Sequence, residues 1–177
     1  DIPEVSAGPG EIRIKNYASA VNPTDIVSRS GLISQFRKDF PLPSVPGMDI
    51  SGIVDQVGEG VETDISIGDK VMGMVIPNEL HGAYREQITL NQFAVVKAPE
   101  GYSFAESSTL PMNGLTARLS LDLLNLNKGQ VVAVTGGPGA YGGYVIQLAK
   151  ADGLTVIADS NENDIELLNE LGVDHII

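Results

Sequence analysis

Glycines stand at 136, 139 and 142 of the run Gly136-Gly137-Pro138-Gly139-Ala140-Tyr141-Gly142-Gly143, directly after the largely β-branched stretch Val131-Val132-Ala133-Val134-Thr135. A strand that feeds a glycine-rich turn and then an apolar helix lets the backbone approach a pyrophosphate, because glycine has no side chain to hold the anion off. The helix adds free N–H groups and the positive end of its dipole. Gly136, Gly137, Gly139, Ala140, Tyr141 and Gly142 are therefore the expected cofactor-binding residues of the turn, although Pro138 has no N–H to give. A second apolar run, Leu154 to Ala158, leads into Asp159 and Ser160. An acidic side chain at about this distance, roughly 20 residues on, commonly bonds the adenine ribose hydroxyls of NAD. A 2′-phosphate about 4 Å from Asp159 would be opposed by about 4 kcal/mol per charge pair at an effective dielectric of about 20, and no Lys or Arg lies between Lys150 and Ile177. A solvated Asp159 capping the next helix is the plainer reading of the same residue.

The elements that must hold this turn read as β-α-β-α-β. The strand Val131–Val134 is followed by a helix over 144–151, a strand over 154–158, a helix over 164–171 and a last strand over 174–177. Alternation of this length predicts a parallel sheet with right-handed crossovers. Three strands are half of a doubly wound domain, so the sheet is expected to be incomplete. Upstream, from Glu11 to Lys97, short β-branched or alternating runs are broken by Gly and Pro, among them 11–15, 50–54, 70–72 and 83–89. They predict a loop-rich, many-stranded β domain. A short helix is expected over 23–30, with Pro23 in its first turn and Gly31 ending it. Leu115, Leu119, Leu123 and Leu126 recur at helical spacing and predict a connecting helix with one apolar face.

Composition narrows the function classes. The chain has 177 residues, 42% hydrophobic and 19% charged, the balance of an ordinary globular protein. Its net charge of -12 repels phosphate backbones and anionic lipid, so neither nucleic acid nor a membrane surface is an expected partner. No apolar run approaches the roughly 20 residues a membrane helix needs, and Asp1-Ile2-Pro3-Glu4 does not open a signal peptide. The absence of cysteine excludes disulfides and thiolate nucleophiles, and a cytoplasmic setting fits it. A catalytic zinc needs three protein ligands, whereas the only histidines are His81 and His175. No metal site is expected, and both histidines read as surface or packing residues.

Several segments together resemble the zinc-independent quinone oxidoreductase branch of the medium-chain dehydrogenase/reductase superfamily. They are Val21-Asn22-Pro23-Thr24-Asp25, Val45-Pro46-Gly47-Met48-Asp49, Gly52-Ile53-Val54 with Val57-Gly58-Glu59-Gly60-Val61, Ile67-Gly68-Asp69-Lys70-Val71, Gly82-Ala83-Tyr84, Leu110-Pro111 with Gly114-Leu115-Thr116-Ala117, and the glycine turn with Gln147-Leu148-Ala149-Lys150. They run in family order over nearly the whole chain. The zinc-bearing form of the family has Cys where Asn22 stands and a His-Glu pair where Met48-Asp49 stands.

The resemblance implies a mixed α/β chain: a GroES-like β-barrel catalytic domain over residues 1–113, then a partial Rossmann doubly wound parallel sheet over 114–177. It implies further segments before Asp1 and after Ile177, and a homodimer formed through the missing part of the Rossmann domain. It places Asn22 beside the nicotinamide as the catalytic residue and gives Thr116 the cofactor carboxamide. As plainer roles, Asn22 could cap the helix that begins at Pro23, and Thr116 could bond its own preceding turn. Tyr84 reads as a core aromatic or as part of the cleft wall. Tyr141 departs from the family, which usually has a small aliphatic residue there.

The function implied is metal-free hydride transfer from NAD(P)H to a small acceptor, a quinone, enone or enal, whose developing charge is met by hydrogen bonds. A zinc-free enoyl-thioester reductase is the rival enzyme, and a non-catalytic nucleotide-binding structural or interaction protein the rival of another class. Family habit slightly favours NADP(H), and the electrostatics of Asp159 favour NAD(H).

Overall fold

The computed structural model describes residues 3–32 and 44–177, and Asp1, Ile2 and residues 33–43 lie outside the described residues. The chain divides into two compact units, Asp1–Met112 and Asn113–Ile177, each with its own core.

In the first unit β1 (Glu11–Ala18), β2 (Asp49–Val57), β3 (Lys70–Met74), β4 (Gln87–Asn91) and β5 (Val95–Lys97) form an antiparallel sheet in the order β4-β1-β2-β3-β5. Period-two alternation builds the core. Ile12 and Ile14 of β1 are fully buried while their neighbours face outward, and Ile50, Val54, Val71 and Ile88 meet them. Register shifts at Arg13/Ile14 and Asn16/Ala18 mark irregularities in β1. The described pairings leave β4 and β5 at the two edges, and closure into a barrel is not among them. Two short helices sit on this unit, α1 (Pro23–Arg29) and α2 (Phe104–Ser108), the latter opened by a Ser103/Glu106 capping box.

One expected strand begins later than the sequence suggests. Residues 83–85 stay outside the ladder because their N–H groups go elsewhere: Ala83 donates to the Gly47 carbonyl, Tyr84 to that of Pro46 and Arg85 to that of Ala83, and β4 starts only at Gln87. This departure brings Tyr84 to the segment that precedes β2.

The second unit carries the parallel sheet β6 (Val131–Val134), β7 (Thr155–Ala158) and β8 (His175–Ile176), paired in that order. Helix α3 (Pro111–Leu124) leads into it, α4 (Ala140–Ala151) crosses from β6 to β7, and α5 (Ile165–Glu170) crosses from β7 to β8. Mixed α/β architecture with a partial Rossmann sheet is thus what the chain adopts. Helix α4 begins at Ala140, earlier than the glycine content suggests, so Gly142 and Gly143 belong to its first turn. The apolar face expected on α3 is corrected. Ala117 and Leu121 enter the core, whereas Leu115, Leu119 and Leu123 are 49%, 61% and 86% exposed. The helix has two apolar stripes, and residues two apart, such as Leu119 and Leu121, point to nearly opposite sides.

Candidate functional site

Each unit holds a group of side chains suited to chemistry. In the second unit, β6 delivers the chain to Gly136, which turns it with φ +69. A Cβ on Gly142 would lie 2.3 Å from the Gly136 carbonyl oxygen, so the turn closes against α4 only because position 142 has no side chain. Gly139 is the N-cap of α4, and its N–H donates to the Gly136 carbonyl at 3.0 Å. No side chain caps α4. Ala140, Tyr141 and Gly142 therefore present the N–H groups that a helix start leaves without internal acceptors, together with the positive dipole end.

Asp159, the residue after β7, reaches back to the same turn. Its Oδ1 accepts from the Gly136 N–H at 2.7 Å and from the Gly137 N–H at 3.3 Å. Those two donors face the chain's own carboxylate, and the N–H groups open to an external anion are those of the first turn of α4. Ser160 turns inward: its N–H donates to the Ile177 carbonyl and its hydroxyl to the Asn161 carbonyl. Tyr141 leans toward α3, where its Oη donates to Ser120 Oγ at 2.7 Å, and Ser120 Oγ donates to the Thr116 carbonyl at 2.8 Å. A hydroxyl chain thus joins the turn to the residue expected to hold the cofactor carboxamide. The cradle fits a dinucleotide pyrophosphate, and a Cβ at position 142 would force the Gly136 and Gly137 carbonyls out of the turn that forms it.

In the first unit Asn22 is the N-cap of α1, in a capping-box relation with Asp25. Asn22 N–H donates to Asp25 Oδ2 at 2.9 Å, and Asp25 Oδ1 accepts from the Gly47 N–H at 3.0 Å. The Asn22 carboxamide Nδ2 donates to Asp49 Oδ2 at 2.6 Å, and Asp49 Oδ1 accepts from the Met112 N–H at 2.6 Å, at the start of α3. Asn22, Asp25 and Asp49 are only 3%, 6% and 1% exposed. Burial pushes the Asp49 carboxyl above its ordinary value, opposed by the bonds from Asn22 and Met112 and reinforced by the nearby Asp25. Tyr84 Oη donates to Asp25 Oδ2 at 3.1 Å, and burial followed by that carboxylate pushes the phenol up to about 12. Its ring passes so close to Gly47, at φ +98, that a Cβ there would lie 2.5 Å from Tyr84 Cδ1. An open cavity of about 910 Å³ borders Tyr84, lined also by Lys15, Asn16, Arg85 and Gln87. Tyr84 is thus a wall residue, 37% exposed, rather than a core aromatic.

The resemblance singled out Asn22, and no role was expected of Asp25 or Asp49. The Asn22-x-x-Asp25 spacing, which is that of a capping box, was the available signal for the first. His81 is half-buried in a bridge with Asn78 and His175 opens β8. Among the described residues no group of three or more His, Cys, Asp or Glu is arranged to hold a metal, and no helix is long and apolar enough to cross a membrane.

A β unit followed by a parallel βαβ unit with an uncapped glycine turn is the two-part architecture of this chain. Residues 8–117 match the alcohol dehydrogenase GroES-like domain, and the chain belongs to the medium-chain dehydrogenase/reductase superfamily. It is 36% identical over 171 residues to a 2-methylene-furan-3-one reductase of Solanum lycopersicum, covering 93% of this chain and 43% of that protein. It is 32% identical to a chloroplastic NADPH-dependent alkenal/one oxidoreductase of Arabidopsis thaliana, covering 98% of this chain and 45% of that protein. The quinone oxidoreductase of Coxiella burnetii superposes with a TM-score of 0.84 at 34% identity, over 99% of this chain and 56% of that one. The chain thus spans about half the length of the relatives it matches.

Proposed function

We propose that the protein reduces quinones or activated alkenes and carbonyls with a nicotinamide dinucleotide. The observation that carries this reading is the uncapped first turn of α4 behind a glycine turn that tolerates no Cβ at position 142. The names of the relatives support it, since they are reductases of such acceptors. When bound, the reduced nicotinamide supplies a hydride, which the acceptor takes up together with a proton.

The N–H groups of Ala140, Tyr141 and Gly142 bind the pyrophosphate. Gly136, Gly137 and Gly139 shape the turn, with Asp159 and Ser160 beside it. Thr116 is assigned to the cofactor carboxamide and Asn22 to the reacting end. The support for Asn22 is its buried carboxamide, held by Asp49, which can offer a fixed hydrogen bond where negative charge develops. The resemblance slightly favours NADP(H), and the Arabidopsis relative is named for NADPH. A cytoplasmic homodimer without zinc belongs to the same proposal.

The test is a set of assays at the nicotinamide absorbance band with NADH and NADPH against quinones, enones, enals and acyl thioesters. Oxidation with quinones or enones is expected. Turnover confined to acyl thioesters would replace the proposal by an enoyl-thioester reductase, and tight binding without any turnover would replace it by a non-catalytic nucleotide binder.

A further inference from the structure

We infer that the open cavity bordered by Tyr84 receives the acceptor and favours acceptors that carry a negatively charged group, granted the reductase reading. At about 910 Å³ the cavity is large enough for a small ring compound. Tyr84 connects it to the residue assigned to the reacting end. The phenol stands in the cavity wall and donates to Asp25 Oδ2, the same oxygen that accepts from the Asn22 N–H.

The same wall carries Lys15, Arg85, Glu4 and Glu86, and their charges are unequally paired. Among the described residues the ion pairs engage Arg13, Lys97, Arg118 and Lys150, and neither Lys15 nor Arg85 meets a carboxylate. Lys15 Nζ lies 5.5 Å from the centre of the Tyr17 ring. The Arg85 guanidinium donates to the Leu80 carbonyl at 3.1 Å and to the Pro3 carbonyl at 3.2 Å, bonds that fix its plane without neutralising it. Burial holds Arg85 below its ordinary value, as expected of a cation without a counter-charge. Its field reaches His81, which burial and then Arg85 hold below the ordinary imidazole value. Two enclosed side-chain atoms have no hydrogen-bond partner, Arg85 Nε and Asn16 Oδ1, and both belong to residues of this wall. Of the two acids, Glu4 acts on Arg13, a guanidinium already raised by its bond to Asp55, which leaves Glu86 as the opposing charge. An acceptor bearing a carboxylate or sulfonate supplies the counter-charge that Lys15 and Arg85 lack, and a neutral one does not.

Steady-state assays with a naphthoquinone and its sulfonate, at saturating dinucleotide and one ionic strength, test this. The KM for the sulfonate is expected to lie about tenfold below that for the parent quinone. Added salt should raise the KM for the sulfonate more than that for the parent. Lys15→Gln, at an exposed position, should bring the two values to within about threefold of each other, and Glu86→Gln, also exposed, should draw them further apart. Comparing the ratio between variants cancels the difference in reactivity of the two quinones. Equal KM values in the unaltered protein, or a ratio that neither substitution moves, overturns the inference and leaves the reductase reading standing. Absence of turnover with both quinones and both dinucleotides overturns that reading, and the inference with it.

Discussion

Asp49 shows how a single buried residue ties stability to geometry. Its carboxyl is pushed above its ordinary value, so the folded state holds the proton more firmly than the unfolded chain does. The stabilising contribution of this group is complete below the ordinary carboxylate value and is lost as the pH rises through the raised one. Denaturant titrations at a series of pH values should show that loss in the native protein and not in Asp49→Asn. The same substitution sets a second carboxamide against Asn22 Nδ2 and should turn the Asn22 carboxamide over. Activity is then expected to fall about tenfold or more, as when a placed hydrogen-bond donor is removed from a reacting centre, which steady-state assays of kcat against KM would register. Gly142→Ala drives a Cβ toward the Gly136 carbonyl. It should cost about 1–3 kcal/mol in thermal unfolding and abolish dinucleotide binding. Type and spacing singled out the glycines as candidates, and the family resemblance singled out Asn22. The Asp49 contact was hidden because it joins residues 22, 49 and 112, which only the folded sheet brings together.

At the scale of elements, Tyr141 joins the first turn of α4 to α3 through Ser120. Tyr141→Phe removes one exposed hydrogen bond, worth about 0.5–1.5 kcal/mol. A melt should show a small loss, and the KM for the dinucleotide should rise with kcat nearly constant, since the turn is held less firmly while the reacting groups are untouched. Strand and helix identities were legible in the second unit, where β-branched runs alternate with helical periods. The leucine stripe of α3 misled because spacing reports that a face is apolar and does not say which of two apolar faces is covered. Residues 83–85 misled for a related reason: their N–H groups go to Gly47, Pro46 and Ala83, and the contact with β1 begins only at the Glu86 carbonyl, which accepts from the Asn16 N–H.

For the molecule as a whole, 23 acidic residues against 11 basic ones leave a net charge of -12. The proposed anionic dinucleotide approaches against that field, with its pyrophosphate held by local N–H donors. Its association rate should therefore rise severalfold as salt shortens the screening length from about 30 Å at 0.01 M to about 10 Å at 0.1 M. Stopped-flow fluorescence at several salt concentrations would measure it, and a falling rate would mean a local positive patch outweighs the total. Each of the two compact units has its own core, and sheet and βαβ patterns bury their apolar residues with different periods.

The bond from Asp159 to Gly136 and Gly137 carries a thermodynamic consequence as well. Glycine-rich segments usually have much conformational freedom to surrender when something binds them. Here the strand-end carboxylate has already taken that freedom away, so the ordering cost is met during folding rather than at the moment of encounter. In a calorimeter the native turn should bind with a smaller entropic penalty than that of Asp159→Ala, whose glycines are left to be ordered by the dinucleotide itself.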